Sequence, residues 1–314
     1  MSRSPDDKEN HMDRRGFLEC MTWVGTGVLW GAAGGVLSSR TLAHAADAAA
    51  GGDFSFVQIS DSHIGFKGPA NPDVTATLET AIAKINALPS PPAFVLHTGD
   101  LTHAQKPGAF DAVGELLKTV KTERVFYVPG ENDVFLDGGK EYLGRYGRGT
   151  AGGRGWQSFD YRGVHFVGLV NVESYKAKGL GSLGVEQLEW LEKDVAGLPS
   201  SAPIVVFTHV PLWAVYPTWG WATADGEQAL GYVRRFGSVT VLNGHIHQVL
   251  QKVEGNVAFH TAMSTAFPQP APGAAPSPGP MKVPEDRLRG VLGLREVTYV
   301  QGRSPLAVVD RTLA

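Results

Sequence analysis

The stretch Phe54-Ser55-Phe56-Val57-Gln58-Ile59-Ser60-Asp61-Ser62-His63 constrains the architecture more than any other part of the chain. Apolar residues alternate through it at strand spacing and stop at a short polar turn. The pattern predicts a buried strand whose carboxyl end carries a carboxylate and an imidazole two residues apart. At that end of a strand in an open α/β sheet, side chains point into the crevice where such sheets hold ligands. One Asp-x-His triplet is ordinary turn chemistry, so the pair carries weight only if other strands end in the same way.

Four more do. Ala93-Phe94-Val95-Leu96-His97-Thr98 runs into Gly99-Asp100, and Arg124-Val125-Phe126-Tyr127-Val128 runs into Pro129-Gly130-Glu131-Asn132-Asp133. Pro203-Ile204-Val205-Val206-Phe207-Thr208 ends at His209, and Val239-Thr240-Val241-Leu242-Asn243 ends at Gly244-His245-Ile246-His247. Between the first three strands, helical spacing of apolar residues predicts helices over 73–88 and 109–120. Strand–helix alternation of this kind builds a parallel sheet, and the fold class is α/β. Further strands are predicted over 164–170, 257–260, 296–300 and 306–310, and further helices over 185–195 and 284–292. No internal repeat and no clear second domain interrupts this order.

The strand ends together offer Asp61, His63, Asp100, Glu131 or Asn132, His209, His245 and His247. Carboxylate oxygen and imidazole nitrogen without sulfur suit two divalent metal ions such as Mn, Fe or Zn rather than a structural zinc site. A shared carboxylate would set the ions roughly 3.5–4 Å apart, as in two-metal hydrolases.

These residues resemble the calcineurin-like metallophosphoesterases, whose pattern is D-x-H, G-D, G-N-H-D/E, H and G-H-x-H. The likeness spans Asp61 to His247 and is nearest to the class III cyclic-nucleotide phosphodiesterase group. Gly184-Val185-Glu186-Gln187-Leu188-Glu189-Trp190-Leu191 matches the helix that family carries between its third and fourth metal motifs. The resemblance implies a four-layer αββα sandwich. It assigns Asp61, His63, Asp100 and His247 to one metal, with Asp100 bridging to a second held by Glu131, His209 and His245. It implies hydrolysis of a small phosphomonoester or phosphodiester by a hydroxide formed from a metal-bridging water.

One motif departs from the pattern. Gly130-Glu131-Asn132-Asp133 stands where the family has Gly-Asn-His-Asp. Counting from the Pro-Gly turn puts Glu131 at the metal ligand and Asn132 at the histidine that contacts the phosphoryl group; the other alignment makes Asn132 the ligand. In both, an imidazole is missing, and Asn132 can hydrogen-bond a phosphoryl oxygen but cannot donate a proton to a leaving group. His103, three residues after Asp100, is a candidate substitute, whereas His97 within its strand reads as a packing histidine. Purple acid phosphatases carry a tyrosine ligand at the position of His103, so no iron–phenolate chromophore is expected. The departure also motivates a second reading, a non-catalytic metal- or phosphate-binding protein that kept its ligands.

Three other segments bear on function. Trp213, Tyr216, Trp219 and Trp221 follow His209 and either stack on a planar group or form a hydrophobic lid. Residues 268–280 hold six prolines and predict a semi-rigid covering loop or a disordered one. Residues 138–163 are rich in glycine and in Arg145, Arg148 and Arg154, which read as a phosphate clamp or as solvated loop charges.

Residues 1–45 read as a twin-arginine export leader: Asp13-Arg14-Arg15-Gly16-Phe17-Leu18, an uncharged run from Cys20, and small residues at Ala43-His44-Ala45, with 46–314 the mature domain. The partner this implies is the twin-arginine export machinery, and the destination is the periplasm or the exterior. Five glycines between Gly25 and Gly35 make a stable membrane anchor a poor fit, and Glu19 before Cys20 spoils a lipoprotein signal. Removing the leader takes away the only cysteine and equal numbers of acidic and basic residues, so the net charge of −3 is unchanged. That balance provides no basic footprint for nucleic acid.

Overall fold

The computed structural model describes residues 28–33, 36–41, 51–172 and 179–314. The twin-arginine motif and the Ala43-His44-Ala45 site lie outside the described residues. β1 (Val28–Ala33) and β2 (Val36–Thr41) pair antiparallel as a sheet of their own. No helix among the described residues is long and apolar enough to cross a membrane.

Two larger sheets face each other. The first contains β3 (Phe54–Ile59), β4 (Val95–His97) and β5 (Val125–Tyr127), parallel to one another, and is extended beside β3 by the antiparallel pair β12 (Gly293–Tyr299) and β13 (Ala307–Thr312). The second has β7 (Val164–Gly168), β8 (Ile204–Thr208), β9 (Val239–Asn243) and β11 (Val257–Thr261) in parallel, edged by antiparallel β6 (Gln157–Tyr161) and β10 (Gln251–Glu254).

Period-two alternation divides β3 between two cores. Phe54 and Phe56 pack between the sheets with Phe94, Phe166, Phe207 and Leu242. Val57 and Ile59 pack under α1 (Val74–Asn86) and α2 (Ala109–Leu117) with Leu78, Ile82, Val113 and Leu117. On the far side, α4 (Val185–Ala196) and α5 (Gly226–Val233) bury Leu188, Leu191, Leu230 and Val233 against Val206 and Val241. Helix, sheet, sheet and helix make the four-layer αββα sandwich. The inter-sheet core is aromatic: Phe94 meets Phe126, Phe159 and Phe166 edge-on at 5.5, 5.5 and 5.1 Å, the arrangement that ring quadrupoles favour.

A polar cluster crosses this core just behind the strand ends. Gln58 donates to Thr98 Oγ1 (3.0 Å) and the Asn243 carbonyl (3.3 Å), and accepts from Arg295. Arg295, fully buried, pairs with Asp310 at 2.8 Å and donates to the Thr261 carbonyl. The cluster ties strands of both sheets together where their tips must hold position.

The structure differs from the sequence reading over 138–163. This stretch contains α3 (Lys140–Tyr146), seated by buried Tyr142, and β6, whose Phe159 stacks on Phe166 at 4.9 Å. Arg145 pairs with Asp111 and Glu141, and Arg154 with Glu186, so neither is a phosphate clamp. α5 and β10 are likewise additions. Gly226 and Gly231 break the apolar period of α5, and β10 is exposed along its length.

His165 joins β7 to its neighbours through Asp160 (2.8 Å) and Asp194 (2.9 Å). Burial opposes its protonation, but the two carboxylates outweigh burial and lift it to about 9. A raised value stabilises fully below the unfolded imidazole's range and is lost as pH rises through about 9. His165→Gln is therefore expected to lower unfolding stability by roughly 3 kcal/mol at pH 6, with the gap from wild type closing above pH 9. A gap independent of pH in denaturant titrations would remove this assignment.

Candidate metal centre

The carboxyl ends of five strands from both sheets converge. β3, β4 and β5 deliver Asp61 with His63, Asp100 and Glu131; β8 and β9 deliver His209 and His245 with His247. All are buried except Glu131, which is partly so.

The backbone is bent to achieve this. Asp61, His63, Asp100, His245 and His247 hold φ of 55°, 43°, 52°, 70° and 55°, a left-handed region costing a non-glycine residue on the order of 1–3 kcal/mol. Surrounding bonds impose it: Asp61 N–H donates to Gly99 O (3.0 Å), His63 N–H to Asp100 O (2.9 Å), and Ser264 Oγ to Asp61 O (2.8 Å). Two glycines allow the tips to approach. A β-carbon at Gly130 would strike the Asp100 carboxylate and backbone nitrogen, and one at Gly244 would strike Ser60 Oγ and the Asp61 carboxylate.

The side chains form two groups that share a middle. Asp61, His63 and His247 make one, with His247 Nε2 3.2 Å from Asp61 Oδ1 and 3.3 Å from His63 Nε2. Glu131, His209 and His245 make the other; Glu131 Oε2 lies 2.9 Å from His209 Nε2 and 3.2 Å from His245 Nδ1. Asp100 Oδ2 stands between them, 3.4 Å from His63 Nε2 and 3.7 Å from His209 Nε2.

The donor set fits divalent cations. His209 Nδ1 is 2.7 Å from the Thr98 carbonyl and His247 Nδ1 2.5 Å from the Phe267 carbonyl. A carbonyl only accepts, so each Nδ1 carries a hydrogen and each Nε2 faces the carboxylates, where a metal can displace its proton and take the lone pair, as at metal-ligating histidines. Glu131 Oε2 is buried without a hydrogen bond of acceptable geometry despite its two imidazole neighbours. Three carboxylates share the site, and among the described residues no lysine or arginine lines it. Burial raises Asp100 well above the usual carboxylate range, and the charge of Glu131 adds to that. Burial acts in the same direction on Asp61, but His247 and His209 outweigh it and hold that carboxyl low. Such a cluster calls for external positive charge.

Glu131 rather than Asn132 joins the ligand-type group. Asn132 donates from its backbone and side-chain nitrogens to Asp100 (2.9 and 2.7 Å) and accepts from Ala104 N–H at 3.2 Å. His103 reaches the site, with Nδ1 3.2 Å from His63 Nδ1. His97 is fully buried beside Ser62 Oγ (2.7 Å), and burial lowers it to about 3, as a packing histidine requires.

Sequence reasoning missed Asp133, Phe267 and Gln269. Asp133 accepts from Gly130, Leu101 and Thr102 N–H and from Thr102 Oγ1, binding the β4 and β5 tips together. Burial pushes its carboxyl up to about 6 against those donors. Its only sequence signal was its place as the last letter of the Gly130–Asp133 motif. Phe267 stacks on His63 at 4.6 Å, and Gln269 donates to the His245 carbonyl at 2.8 Å. The proline-rich segment is thereby drawn over the site. A cavity of about 340 Å³ remains above the cluster, walled by Trp219, Trp221, Phe135 and residues 278–280. Trp213 instead packs into the helix-side core against Phe259.

Two sheets face to face between helical layers, with ligand-type side chains at their joined tips, form the metallophosphoesterase architecture. The chain belongs to the calcineurin-like phosphoesterase family, whose model matches residues 54–249. It is 24% identical over 220 residues to a 3',5'-cyclic-nucleotide phosphodiesterase of Nostoc sp., covering 68% of this chain and 79% of that one. It is 29% identical over 160 residues to a probable glycerophosphodiester phosphodiesterase of Arcobacter nitrofigilis, covering 50% of this chain and 57% of the relative. Its fold is that of a dimetal phosphatase from Danio rerio (TM-score 0.60, 14% identity, 82% and 98% of the two chains). A purple acid phosphatase from yellow lupin shares it too (TM-score 0.60, 14% identity, 84% and 52%).

Proposed function

We propose that the protein is an exported phosphodiesterase acting on small phosphodiesters with two divalent cations of the Mn, Fe or Zn kind. Asp61, His63, Asp100 and His247 would hold one, and Asp100, Glu131, His209 and His245 the other. The observation carrying this reading is the convergence of those seven side chains, with the His209 and His247 nitrogens turned inward by carbonyl bonds. Bound there, the cations would supply Lewis acidity and lower the pKa of water toward neutrality.

The chain's own residues do the rest. Asn132, fixed on Asp100 by one amide hydrogen, offers the other to a phosphoryl oxygen. His103, whose Nδ1 lies 3.2 Å from His63 Nδ1, can turn its Nε2 side toward a phosphoryl oxygen as a hydrogen-bond donor.

Residues 1–45 are proposed as the twin-arginine leader and 46–314 as the mature domain, on the strength of Arg14-Arg15 and Ala43-His44-Ala45. Expressed with its own leader in a bacterium that has this export route, the protein should be recovered from the periplasm beginning at Ala46. After manganese loading it should hydrolyse bis(p-nitrophenyl) phosphate. Retention in the cytoplasm would contradict the leader. Asn132 in place of a histidine favours the second reading, a binding protein without turnover, and an inert, fully metallated protein would establish that one instead.

A further inference from the structure

The cavity has a charged floor and an uncharged wall. The floor is the cluster of imidazoles and carboxylates, while the wall is Phe135, Trp219, Trp221, Phe267, Pro278 and Pro280. Phe135 is 65% exposed at the rim, where its ring is open to a bound ligand. Its turn is built to present it there. Leu136 N–H donates to Gln105 Oε1, and Gln105 Nε2 donates to Asp137 at 2.8 Å. The opposite wall is tethered as well: Gly279 N–H donates to Gln269 Oε1 (3.1 Å), and Gln269 donates to the backbone of His245. Trp219 is held edge-on by Trp221 at 5.1 Å and by Tyr216 at 5.2 Å.

We infer that the site selects phosphodiesters bearing one uncharged aromatic substituent, which lies against Phe135 and Trp219 while the phosphoryl group sits on the floor. The inference rests on the phosphodiesterase reading. Charge supports it: three carboxylates and the hydroxide the reaction needs balance two divalent cations, and a floor with no surplus charge favours a diester monoanion over a monoester dianion. Among the described residues no lysine or arginine lines the cavity to meet the second charge of a monoester. Size supports it too. About 340 Å³ is near the lower end for small-molecule pockets and suits one ring beside a phosphoryl group rather than a polymer.

Calorimetric titration of the manganese-loaded protein with methyl phenyl phosphate and with dimethyl phosphate tests it. Methyl phenyl phosphate is expected to bind at least about tenfold tighter, within the range for single aromatic stacking contacts. Phe135→Ala, at an exposed position that leaves folding intact, should reduce that preference about threefold or more with dimethyl phosphate binding unchanged. Trp219→Phe, which keeps a ring in the buried cluster with Trp221 and Ile246, should also reduce that preference. Equal or undetectable binding of the two esters, or a preference unchanged in both variants, overturns the inference. Preferential binding without turnover of bis(p-nitrophenyl) phosphate would leave the subsite standing and sink the catalytic reading alone.

Discussion

Asp100→Asn is expected to lower the turnover of bis(p-nitrophenyl) phosphate by about 10³-fold or more, a loss of roughly 4 kcal/mol of transition-state stabilisation. Asp100 is the carboxylate standing between the two ligand groups, within 3.4 Å of His63 Nε2 and 3.7 Å of His209 Nε2. An amide of the same shape keeps the packing but offers one oxygen and no charge. Stability should move the other way in the metal-free protein. Removing one of three clustered, buried carboxylates relieves repulsion, so the variant should melt at or above the wild-type temperature. Manganese should then raise its melting temperature far less than it raises that of the wild type, because ligand-induced stabilisation follows affinity for the native state. A variant that loses activity and also melts well below metal-free wild type would mean that Asp100 is structural.

Asn132→His is expected to raise hydrolysis of alkyl phosphodiesters relative to aryl ones by roughly 10²-fold, the lower end of what a positioned general acid contributes. A p-nitrophenolate leaves without help, whereas an alkoxide needs a proton. The native carboxamide, bonded to Asp100 at 2.7 Å, has none to give. Wild-type enzyme should therefore favour aryl esters strongly, and the histidine should narrow the gap chiefly by accelerating the alkyl substrates. An unchanged aryl-to-alkyl ratio would show that position 132 does not face the leaving group, or that His103 already fills the role.

What the sequence made legible was local. Each ligand-type residue follows its own apolar strand within a few positions, so β3, β4, β5, β8 and β9 announced both themselves and their tips. The same holds for α1 and α4, whose buried faces keep helical spacing. What escaped was long-range or masked by glycine. The placement of β12 beside β3 depends on residues about 240 positions apart, which no local period encodes. β6 and α3 lay in a glycine- and arginine-rich stretch that reads as loop until Tyr142 and Phe159 find their partners. The left-handed backbone at Asp61, His63, Asp100, His245 and His247 has no sequence signature, because no glycine stands at those positions. It arises from hydrogen bonds between tips that meet only in the folded chain. Phe267 and Gln269 were invisible for the same reason, since their partners His63 and His245 belong to other segments.

Anomalous diffraction from crystals of the manganese-loaded protein tests the central claim most directly. The account predicts two peaks, one among Asp61, His63 and His247 and the other among Glu131, His209 and His245, with Asp100 touching both. A single peak, peaks elsewhere, or none at all at saturating manganese would contradict it.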